Sequence, residues 1–365
     1  MKTVMLVFGT RPEAIKMCPL VNELKSRPGL RTLVCVTGQH REMLRQVLTA
    51  FGVTPDYDLD IMKAKQTLTD ITTAILQKIE PVLTETSPDV VLVHGDTSTT
   101  FATALACFYK QIPVGHVEAG LRTWNLQSPY PEEFNRQAVS ILAKYNFAPT
   151  EMAKENLLRE GRDPASILVT GNTAIDALKT TVREDYTHPE LEWAAGSRLV
   201  ILTAHRRENL GEPMHHMFRA IRRILDEHED VKVIYPIHMN PLVREAAQEE
   251  LGDSPRVHII EPLEVLDFHN FLARSYLVLT DSGGIQEEAP SLGKPVLVMR
   301  DTTERPEGVA AGTLRLVGTD EAEIYKWFST LLSDKAAYDA MSKASNPYGD
   351  GLASKRIADA LEMES

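Results

Sequence analysis

The sequence predicts an α/β protein built from two Rossmann-like domains, each a doubly wound parallel sheet, that face a central cleft. Short apolar runs alternate with amphipathic helical patterns in two successive series, as expected for parallel strands covered on both faces. The length of 365 residues also exceeds what a single hydrophobic core usually serves. We therefore expect one domain for each series.

The first series is assigned to an N-terminal domain at residues 1–182. Its apolar runs predict strands at 3–8, 32–37, 90–94 and 114–117, with weaker ones at 146–148 and 167–170. Patterns with helical spacing between them predict helices at 12–26, 41–51, 68–86, 99–109, 131–144 and 151–160.

The second series is assigned to a C-terminal nucleotide-binding domain at residues 198–346, after a polar linker at 183–197. Strands are predicted at 199–203, 232–237, 258–260, 276–280, 296–299 and 314–317. Helices are predicted at 213–227, 242–251, 265–273, 285–292 and 321–333. The remaining residues, 347–365, are expected to form a C-terminal helix that packs back on the first domain.

Composition excludes several classes of protein. The formal net charge of −12 disfavours nucleic acid or an anionic membrane surface as the main partner, because phosphate groups recruit basic faces. No apolar run is long enough for a signal peptide or a membrane span. The three cysteines are far apart and odd in number, which indicates reduced thiols and a cytoplasmic location.

The segment 276–288 reads as a strand, a glycine turn and a helix start. Ser282, Gly283 and Gly284 follow the strand, so backbone N–H groups at the helix N-terminus could bind an anion such as phosphate. Glu288, one turn into the helix, could accept hydrogen bonds from ribose hydroxyls. A tight strand–helix turn with an ordinary cap is the alternative, and for this motif alone it is the commoner outcome.

Basic side chains follow other predicted strands at their carboxyl ends. Arg11 and Lys16 lie at the entrance of the first helix, and His205 comes two residues after the end of the strand at 199–203. Arg305 follows the strand next to the glycine turn and offers a bidentate guanidinium. Ligands of doubly wound sheets bind at the carboxyl ends of strands, so these residues are candidates for contacts with phosphate. A solvated basic surface is the alternative for Arg11 and Lys16.

Carboxylates follow the third and fourth strands. Asp96 could merely cap the next helix, and Glu132, at a helix start, is favoured by the helix dipole in any case. Neither helix capping nor the helix dipole explains Glu118, because the residues after it do not resemble a helix start. The pairs His94 with Asp96 and His116 with Glu118 resemble metal ligands, but each histidine lies inside a strand, so no metal site is expected.

Several motifs occur together in a fixed order. They read GTRPE at 9–13, HGDT at 94–97, HVEAGLR at 116–122, PEEFNR at 131–136, HRREN at 205–209, DSGGIQEE at 281–288 and RPE at 305–307. This combination resembles the non-hydrolysing UDP-N-acetylglucosamine 2-epimerases of bacteria, over nearly the whole chain from about residue 3 to the NPYGDG segment at 346–351. The resemblance implies a glycosyltransferase-B-like fold.

The resemblance also implies a reaction. Members interconvert UDP-GlcNAc and UDP-ManNAc without nicotinamide or metal, by eliminating UDP to give 2-acetamidoglucal and adding it back. The product would supply ManNAc units for bacterial surface polysaccharide. Matching positions imply catalytic roles for Asp96, Glu118, Glu132 and His205. Substrate contacts are implied for Arg11, Lys16, Asp96, Glu118, His205, Leu263, Phe268, Ser282, Gly283, Gly284, Glu288 and Arg305, with Leu263 and Phe268 beside uracil.

Some members bind a second UDP-GlcNAc as activator. The matching positions here are Gln39, Glu42, Lys65, Arg206 and His238. Glu42 and Lys65 stand where that pattern has glutamine and arginine, and Glu42 would repel the phosphates of a nucleotide sugar. The resemblance therefore supports catalysis more strongly than regulation, and it further implies a homodimer.

Three alternatives stay open at this point. A glycosyltransferase would share the fold and the nucleotide but would need an acceptor. A hydrolysing relative would release ManNAc and UDP. A nucleotide-sugar sensor would bind without turnover, although carboxylates near an anionic ligand then cost binding free energy without serving a reaction.

Overall fold

The computed structural model describes residues 1–38, 41–63, 65–303 and 305–363, with the side chains of residues 41–43 also left undescribed. The chain forms two compact units, of which the first comprises Met1–Thr180 and Tyr348–Ser365 and the second comprises Thr181–Pro347. Within the described ranges, no helix is both long and apolar enough to cross a membrane.

The first unit contains a seven-stranded sheet. Its strands are β1 (Lys2–Phe8), β2 (Leu30–Val36), β3 (Tyr57–Asp58), β4 (Val90–His94), β5 (Val114–Val117), β6 (Tyr145–Ala148) and β7 (Ile167–Val169). Its helices are α1 (Arg11–Lys25), α2 (Arg41–Ala50), α3 (Leu68–Thr86), α4 (Ser98–Tyr109), α5 (Glu132–Leu142), α6 (Glu151–Arg159), α7 (Thr173–Thr181, which ends at the unit boundary) and, from the C-terminal segment, α16 (Ala353–Met363).

The strand order in this sheet is β3-β2-β1-β4-β5-β6-β7, and every pair is parallel. The order reverses at β1, whose neighbours are β2 and β4. The connections that leave β1 and β4 therefore run to opposite faces of the sheet, which opens a crevice at their carboxyl ends. Residues 9–11 and 95–97 lie at this switch point, and residue 118 follows the neighbouring β5.

The second unit contains a six-stranded sheet. Its strands are β8 (Arg198–Thr203), β9 (Val231–Pro236), β10 (Val257–Ile260), β11 (Leu277–Thr280), β12 (Val296–Val298) and β13 (Leu314–Leu316). Its helices are α8 (Pro189–Trp193), α9 (Glu212–Glu227), α10 (Pro241–Leu251), α11 (Val265–Arg274), α12 (Ile285–Ser291), α13 (Pro306–Ala311), α14 (Glu321–Ser333) and α15 (Lys335–Ser342).

This second sheet is also parallel throughout and is buried on both faces. Its order, β10-β9-β8-β11-β12-β13, reverses at β8, so residues 204–206 and 281–284 lie at the switch point. Along β8, Val200 and Leu202 pack into the core under α9 and α14, whereas Leu199 and Ile201 pack into the core under α11 and α12. This alternation is the signature of a doubly wound sheet.

The predicted fold class is confirmed, since both units are doubly wound parallel-sheet α/β structures. The segment 183–197, predicted as a linker, contains α8 and belongs to the second unit. The C-terminal segment from Tyr348 onward belongs to the first unit, where α16 packs against α1. Strand β3 and helices α7, α8, α13 and α15 were not among the predicted elements; β3 has only two residues and so carries little pattern.

Candidate functional site

The first loop of the site joins β1 to α1. Thr10 caps α1, and the Glu13 carboxylate accepts the backbone N–H groups of Gly9 and Thr10 at 3.0 and 2.7 Å. Position 9 must be glycine, because a Cβ there would lie 1.9 Å from the Thr37 hydroxyl. This cap places Arg11, half-buried, at the first position of α1.

Glu118, directly after β5, lies at the centre of a partly buried polar cluster. Its φ is +64°, a left-handed conformation that non-glycine residues seldom adopt. Its Oε2 pairs with the Lys16 ammonium, accepts the Asn172 amide at 3.0 Å and lies 3.7 Å from His94 Nε2. Strain of this kind costs about 1–3 kcal/mol and persists where the surroundings hold the residue in place.

The charge state of Glu118 follows from these neighbours. Burial by itself raises the pKa of a carboxyl group. The positive charge of Lys16 and the contact with His94 outweigh burial and hold the pKa of Glu118 well below its ordinary value. Glu118 is therefore ionised at neutral pH, the form that can accept a proton.

Asp96, after β4, is held by α5. The Arg136 guanidinium pairs with the Asp96 carboxylate, and the Asn135 amide donates to the Asp96 backbone carbonyl at 2.8 Å. Arg136 also reaches Glu133 at 3.2 Å. Asp96 does not cap α4, because the capping side chain is Thr97, which accepts from Thr100 N–H at 3.2 Å. Capping therefore does not explain Asp96.

The two neighbouring glutamates of α5 have different surroundings. Glu133 is fully buried and accepts hydrogen bonds from the backbone N–H groups of Thr123 and Trp124, both at 3.0 Å, and from the Gln137 amide at 2.8 Å. Glu132, the first residue of α5, is half-buried, and no hydrogen bond or ion pair to its carboxylate is found in the described ranges. Glu133 thus stabilises the loop, whereas Glu132 is available to a ligand.

The histidines of β4 and β5 are buried inside the unit. His116 is fully buried, its Nε2 lies 2.7 Å from the Gly95 carbonyl, and burial lowers its pKa to about 3, so it is neutral. Among the described residues, no group of three or more His, Cys, Asp or Glu side chains has an arrangement that could hold a metal ion.

In the second unit, Asp281 joins the loops that follow β8 and β11. Its carboxylate is fully buried, and Oδ2 accepts the backbone N–H groups of His205 and Arg206 at 2.9 and 2.8 Å and the Asn209 amide at 3.2 Å. Its Oδ1 lies 3.4 Å from His205 Nδ1. Asp281 therefore fixes the backbone of the loop at His205 and Arg206 and places a negative charge beside the His205 ring.

Neighbouring groups act in opposite directions on the pKa of His205. Its ring is 39% exposed and stacks on His238 with the centroids 5.3 Å apart. Partial burial lowers the pKa of His205, and His238 and Arg206 act in the same direction, against the opposing charge of Asp281. An arriving anion would add negative charge and so favour the imidazolium.

The glycine turn after β11 does not depend on glycine for its backbone conformation. Neither Gly283 nor Gly284 has a positive φ, and a Cβ on either would meet only the ends of the Arg206 and Glu288 side chains, at 3.9 and 4.0 Å. The chain reversal therefore does not require these glycines. They instead leave an uncovered backbone beside the half-buried Ser282, where a ligand can approach closely.

Two glutamates of α12 have separate contacts. Buried Glu287 pairs with the Arg305 guanidinium, while Glu288 Oε2 lies 3.6 Å from Nε2 of the buried His269. Arg305 also donates its backbone N–H to the Thr303 hydroxyl at 3.0 Å. These contacts hold Arg305 at the start of α13 next to the glycine turn.

The remaining predicted positions are less closely grouped. Leu263 and Phe268 are half-buried and pack against the core between α11 and the sheet. Arg206 and His238 adjoin His205 and the glycine turn. Lys65 is exposed with a φ of +58°, whereas Gln39 and the side chain of Glu42 lie outside the described residues.

Sequence reasoning did not assign several residues that the structure places in the site. Asp281 and Arg136 lie inside the quoted motifs but received no role, and Asn172 was not singled out. The i, i+3 spacing of Glu133 and Arg136 on a predicted helix was a usable signal for that pair. Asn172 and Glu118 are 54 positions apart, so no local pattern connects them.

Fold and site together define a two-unit α/β enzyme with a carboxylate-rich site in the first unit and an Asp–His pair beside a glycine turn in the second. The family model for UDP-N-acetylglucosamine 2-epimerase matches residues 22–362. The chain belongs to this family, which confirms the resemblance found in the motifs.

Individual relatives agree with the family model. The chain is 64% identical over 358 residues to the UDP-N-acetylglucosamine 2-epimerase of Bacillus subtilis strain 168, covering 98% of this chain and 94% of the relative. A crystal structure of a UDP-N-acetylglucosamine 2-epimerase matches with a TM-score of 0.94 and 61% identity, covering 100% and 96% of the two chains. The Neisseria meningitidis enzyme, solved bound to UDP-GlcNAc, matches with a TM-score of 0.88 and 48% identity, covering 99% and 100%.

Proposed function

We propose that this chain interconverts UDP-GlcNAc and UDP-ManNAc by elimination and re-addition of UDP. A base removes the proton from carbon 2 while the bond between carbon 1 and the UDP oxygen breaks, giving 2-acetamidoglucal. UDP then attacks carbon 1 again as a proton is delivered to the opposite face of carbon 2. Each proton removed is balanced by one returned, so the reaction needs no external oxidant or reductant.

The observation that carries the proposal is the state of Glu118. It is a carboxylate with only 10% of its side chain exposed, in a strained backbone conformation, and it is kept ionised by Lys16 and His94. A base with a depressed pKa is weak in water, but proximity to carbon 2 and exclusion of water compensate. Neither a structural cap nor a surface ion pair accounts for this combination.

The other carboxylates complete the proton chemistry. Inversion needs proton transfer on two faces of carbon 2, so at least two groups must act. Asp96 is held by Arg136, and Glu132 has no partner in the described ranges. We assign proton transfer on the two faces of carbon 2 to Asp96, Glu118 and Glu132 together, and we do not assign either face to a particular carboxylate.

The second unit supplies the nucleotide contacts in this proposal. Arg305, His205 and the open backbone at residues 282–284 offer positive charge and N–H donors to a diphosphate. In the first unit, Arg11 and Lys16 add positive charge. Glu288 is placed to accept ribose hydroxyls, and Leu263 and Phe268 offer an apolar surface for uracil. The Neisseria relative was solved bound to UDP-GlcNAc, which supports a nucleotide sugar as the ligand.

Further proposals concern the setting of the reaction. We propose that the enzyme uses neither nicotinamide nor metal, acts in the cytoplasm, where its three buried thiols stay reduced, and supplies ManNAc units for surface polysaccharide. A homodimer would cover exposed apolar side chains of α4 and α5 such as Phe108 and Ile141, which are 59% and 65% exposed. Activation by a second UDP-GlcNAc would use Arg206 and His238.

Proton NMR of UDP-GlcNAc with the enzyme in deuterated water tests the central proposal. We expect UDP-ManNAc to appear with deuterium at carbon 2 in both epimers. Free ManNAc and UDP as the main products would indicate a hydrolase, and an unchanged substrate would indicate a binding protein or a transferase awaiting its acceptor.

A matched pair of variants tests the role of Glu118. Glu118→Gln keeps the size of the side chain but cannot accept the proton, so we expect the rate constant to fall about a hundredfold or more with UDP still bound. Glu155→Gln, on the exposed side of α6, is the control and should epimerise at the parent rate. Near-parent activity of a folded Glu118→Gln protein would overturn the assignment.

A further inference from the structure

The NPYGDG segment at 346–351 has no role in the proposed reaction, although it is where the chain passes from the second unit back to the first. Tyr348 is 2% exposed, and its backbone carbonyl accepts the N–H of Asn172 at 2.7 Å. Gly349, with a φ of +127°, packs so closely that a Cβ would lie 3.1 Å from the Gly171 Cα and 3.4 Å from the Asn172 nitrogen. The segment thus fixes the backbone of Asn172.

The Asn172 side chain is fixed as well. Its Oδ1 accepts the Ala174 N–H at 3.0 Å at the start of α7, and its Nδ2 donates to Glu118 Oε2 at 3.0 Å. Because a backbone N–H can only donate, the amide oxygen must face Ala174 and the amide nitrogen must face the carboxylate. The residue is 3% exposed, so water has little access to this contact.

We propose that Asn172 is a positioning residue for Glu118, and that the returning segment at 346–349 holds Asn172 in place. The proposal rests on the proposed function, because it concerns the carboxylate assigned to the proton at carbon 2. Through Nδ2, Asn172 is a neutral donor with a single orientation. Its hydrogen bond favours the ionised form of the Glu118 carboxylate without adding charge.

The charged and titratable groups around Glu118 come from three elements. Lys16 approaches from α1, His94 from the end of β4, and His116, which is neutral, from β5. Lys16 is a flexible side chain that is also assigned to phosphate, so its bond to Glu118 can change when the nucleotide binds. The Asn172 contact has no such second role.

The other end of the segment is also anchored. The Asn346 amide donates to the backbone carbonyl of Glu287 at 3.1 Å, within the second unit, and Glu287 is the residue that pairs with Arg305. The segment is therefore tied at one end to Glu287, the ion-pair partner of a proposed nucleotide-binding residue, and at the other to the residue proposed to position Glu118.

Asn172→Asp is the main test. The variant keeps the size of the side chain and the acceptor for Ala174, but it removes the N–H donor and puts a second carboxylate against Glu118. We expect the acidic limb of the kcat–pH profile to move up by about one pH unit or more and kcat at neutral pH to fall about tenfold or more. The Kd for UDP should change less than about threefold, since no nucleotide contact is altered.

Asp320→Asn is the matched control. Asp320 caps α14 by accepting the N–H groups of Ala322 and Glu323, both at 3.0 Å, so this variant makes an acid–amide exchange at a helix cap away from Glu118. Its pH profile should match that of the parent. If Asn172→Asp does not fold, Asn172→Ser serves instead, because serine also caps helices but is too short to reach Glu118.

Gly349→Ala tests the second half of the proposal. The added methyl group would press against Asn172 without touching Glu118, so the acidic limb should move in the same direction as in Asn172→Asp. Gly196→Ala is its control, because Gly196 has a similar need for positive φ, +77°, but nothing lies within 4 Å of its Cβ position. It should lose stability without any change in the pH profile.

The outcomes separate this proposal from the function it rests on. If the parent forms no UDP-ManNAc, or if Glu118→Gln retains the parent rate, the proposed function fails. If Glu118→Gln is inactive but the folded Asn172 variant keeps the parent pH profile, Asn172 does not position Glu118 and the inference is overturned. If only Gly349→Ala keeps the parent profile, the returning segment does not hold Asn172.

Discussion

The Oδ1 atom of Asp281 lies 3.4 Å from Nδ1 of His205, across the switch point of the second sheet. The carboxylate is fully buried, and its other oxygen already accepts three N–H donors. Nδ1 is therefore the ring nitrogen nearer to Asp281, and the two atoms are close enough to attract each other without forming a hydrogen bond. Asp281 thus acts on the His205 ring through its charge and on the His205 backbone through hydrogen bonds.

We expect Asp281→Asn to lower the pKa of His205. The carboxylate raises that pKa against the effects of burial and of the nearby His238 and Arg206, so removing its charge leaves only the groups that lower it. The imidazolium would then form at lower pH, and UDP affinity near neutral pH should fall. An NMR titration of His205 measures the shift, with Asp320→Asn as control. An unchanged His205 titration would show that Asp281 acts only on the loop.

Replacing Arg305 or Arg11 with alanine should weaken UDP binding by about 1.5–3 kcal/mol, the range for hydrogen bonds to charged groups. Isothermal titration calorimetry with UDP measures this change. Arg315→Ala is the control, because Arg315 is exposed and lies over the Trp327 ring at 3.6 Å. Parent-like affinity in both variants would remove these arginines from the nucleotide site.

Replacement by alanine should lower mainly the stability of the protein at Glu133 and mainly its activity at Glu132. Glu133→Ala leaves buried N–H donors and Arg136 without their acceptor, which should cost roughly 3 kcal/mol and lower the Tm by about 6 °C or more. Glu132→Ala should change stability by less than about 0.5 kcal/mol while abolishing most activity. Calorimetry together with the epimerase assay distinguishes the two, and a large loss of stability in Glu132→Ala would contradict its assignment.

His116 should make the first unit less stable in acid. Its pKa is about 3 when folded and about 6.5 when unfolded, so protons bind preferentially to the unfolded chain between these values. The stability that depends on a neutral His116 is fully present above pH 6.5 and is lost as the pH falls toward 3. At pH 5 the free energy of unfolding should already be lower by about 2 kcal/mol. Urea denaturation at pH 7.5 and pH 5 should show this loss in the parent but not in His116→Gln. His216→Gln, at a histidine on α9 whose side chain is 43% exposed, should behave like the parent.

Much of the fold could be predicted from the sequence because its signals are local. Buried parallel strands are short, apolar and β-branched, and helices between them repeat every 3.6 residues, so β4 and β5 were predicted at their observed bounds. The strand alternation also predicted which polar residues follow a strand, and Asp96, Glu118 and His205 all lie there. Weak patterns were missed, as with the two-residue β3.

The roles of side chains that meet across the fold required the tertiary structure. Asp96 is separated from Arg136 by 40 positions, Glu118 from Asn172 by 54, and Asp281 from His205 by 76. Such contacts depend on strand order and loop geometry, which no periodicity encodes. The structure also showed that the glycines of the turn after β11 are not required by the backbone.

The sequence alone thus determined the alternating α/β architecture, the family and the positions of polar residues along the chain, because these depend on residue types at short spacing. Only the tertiary structure decided which carboxylate is ionised, which is structural and which histidine lies beside a fully buried carboxylate. Burial and neighbouring charge control these properties, and both arise when distant segments pack together.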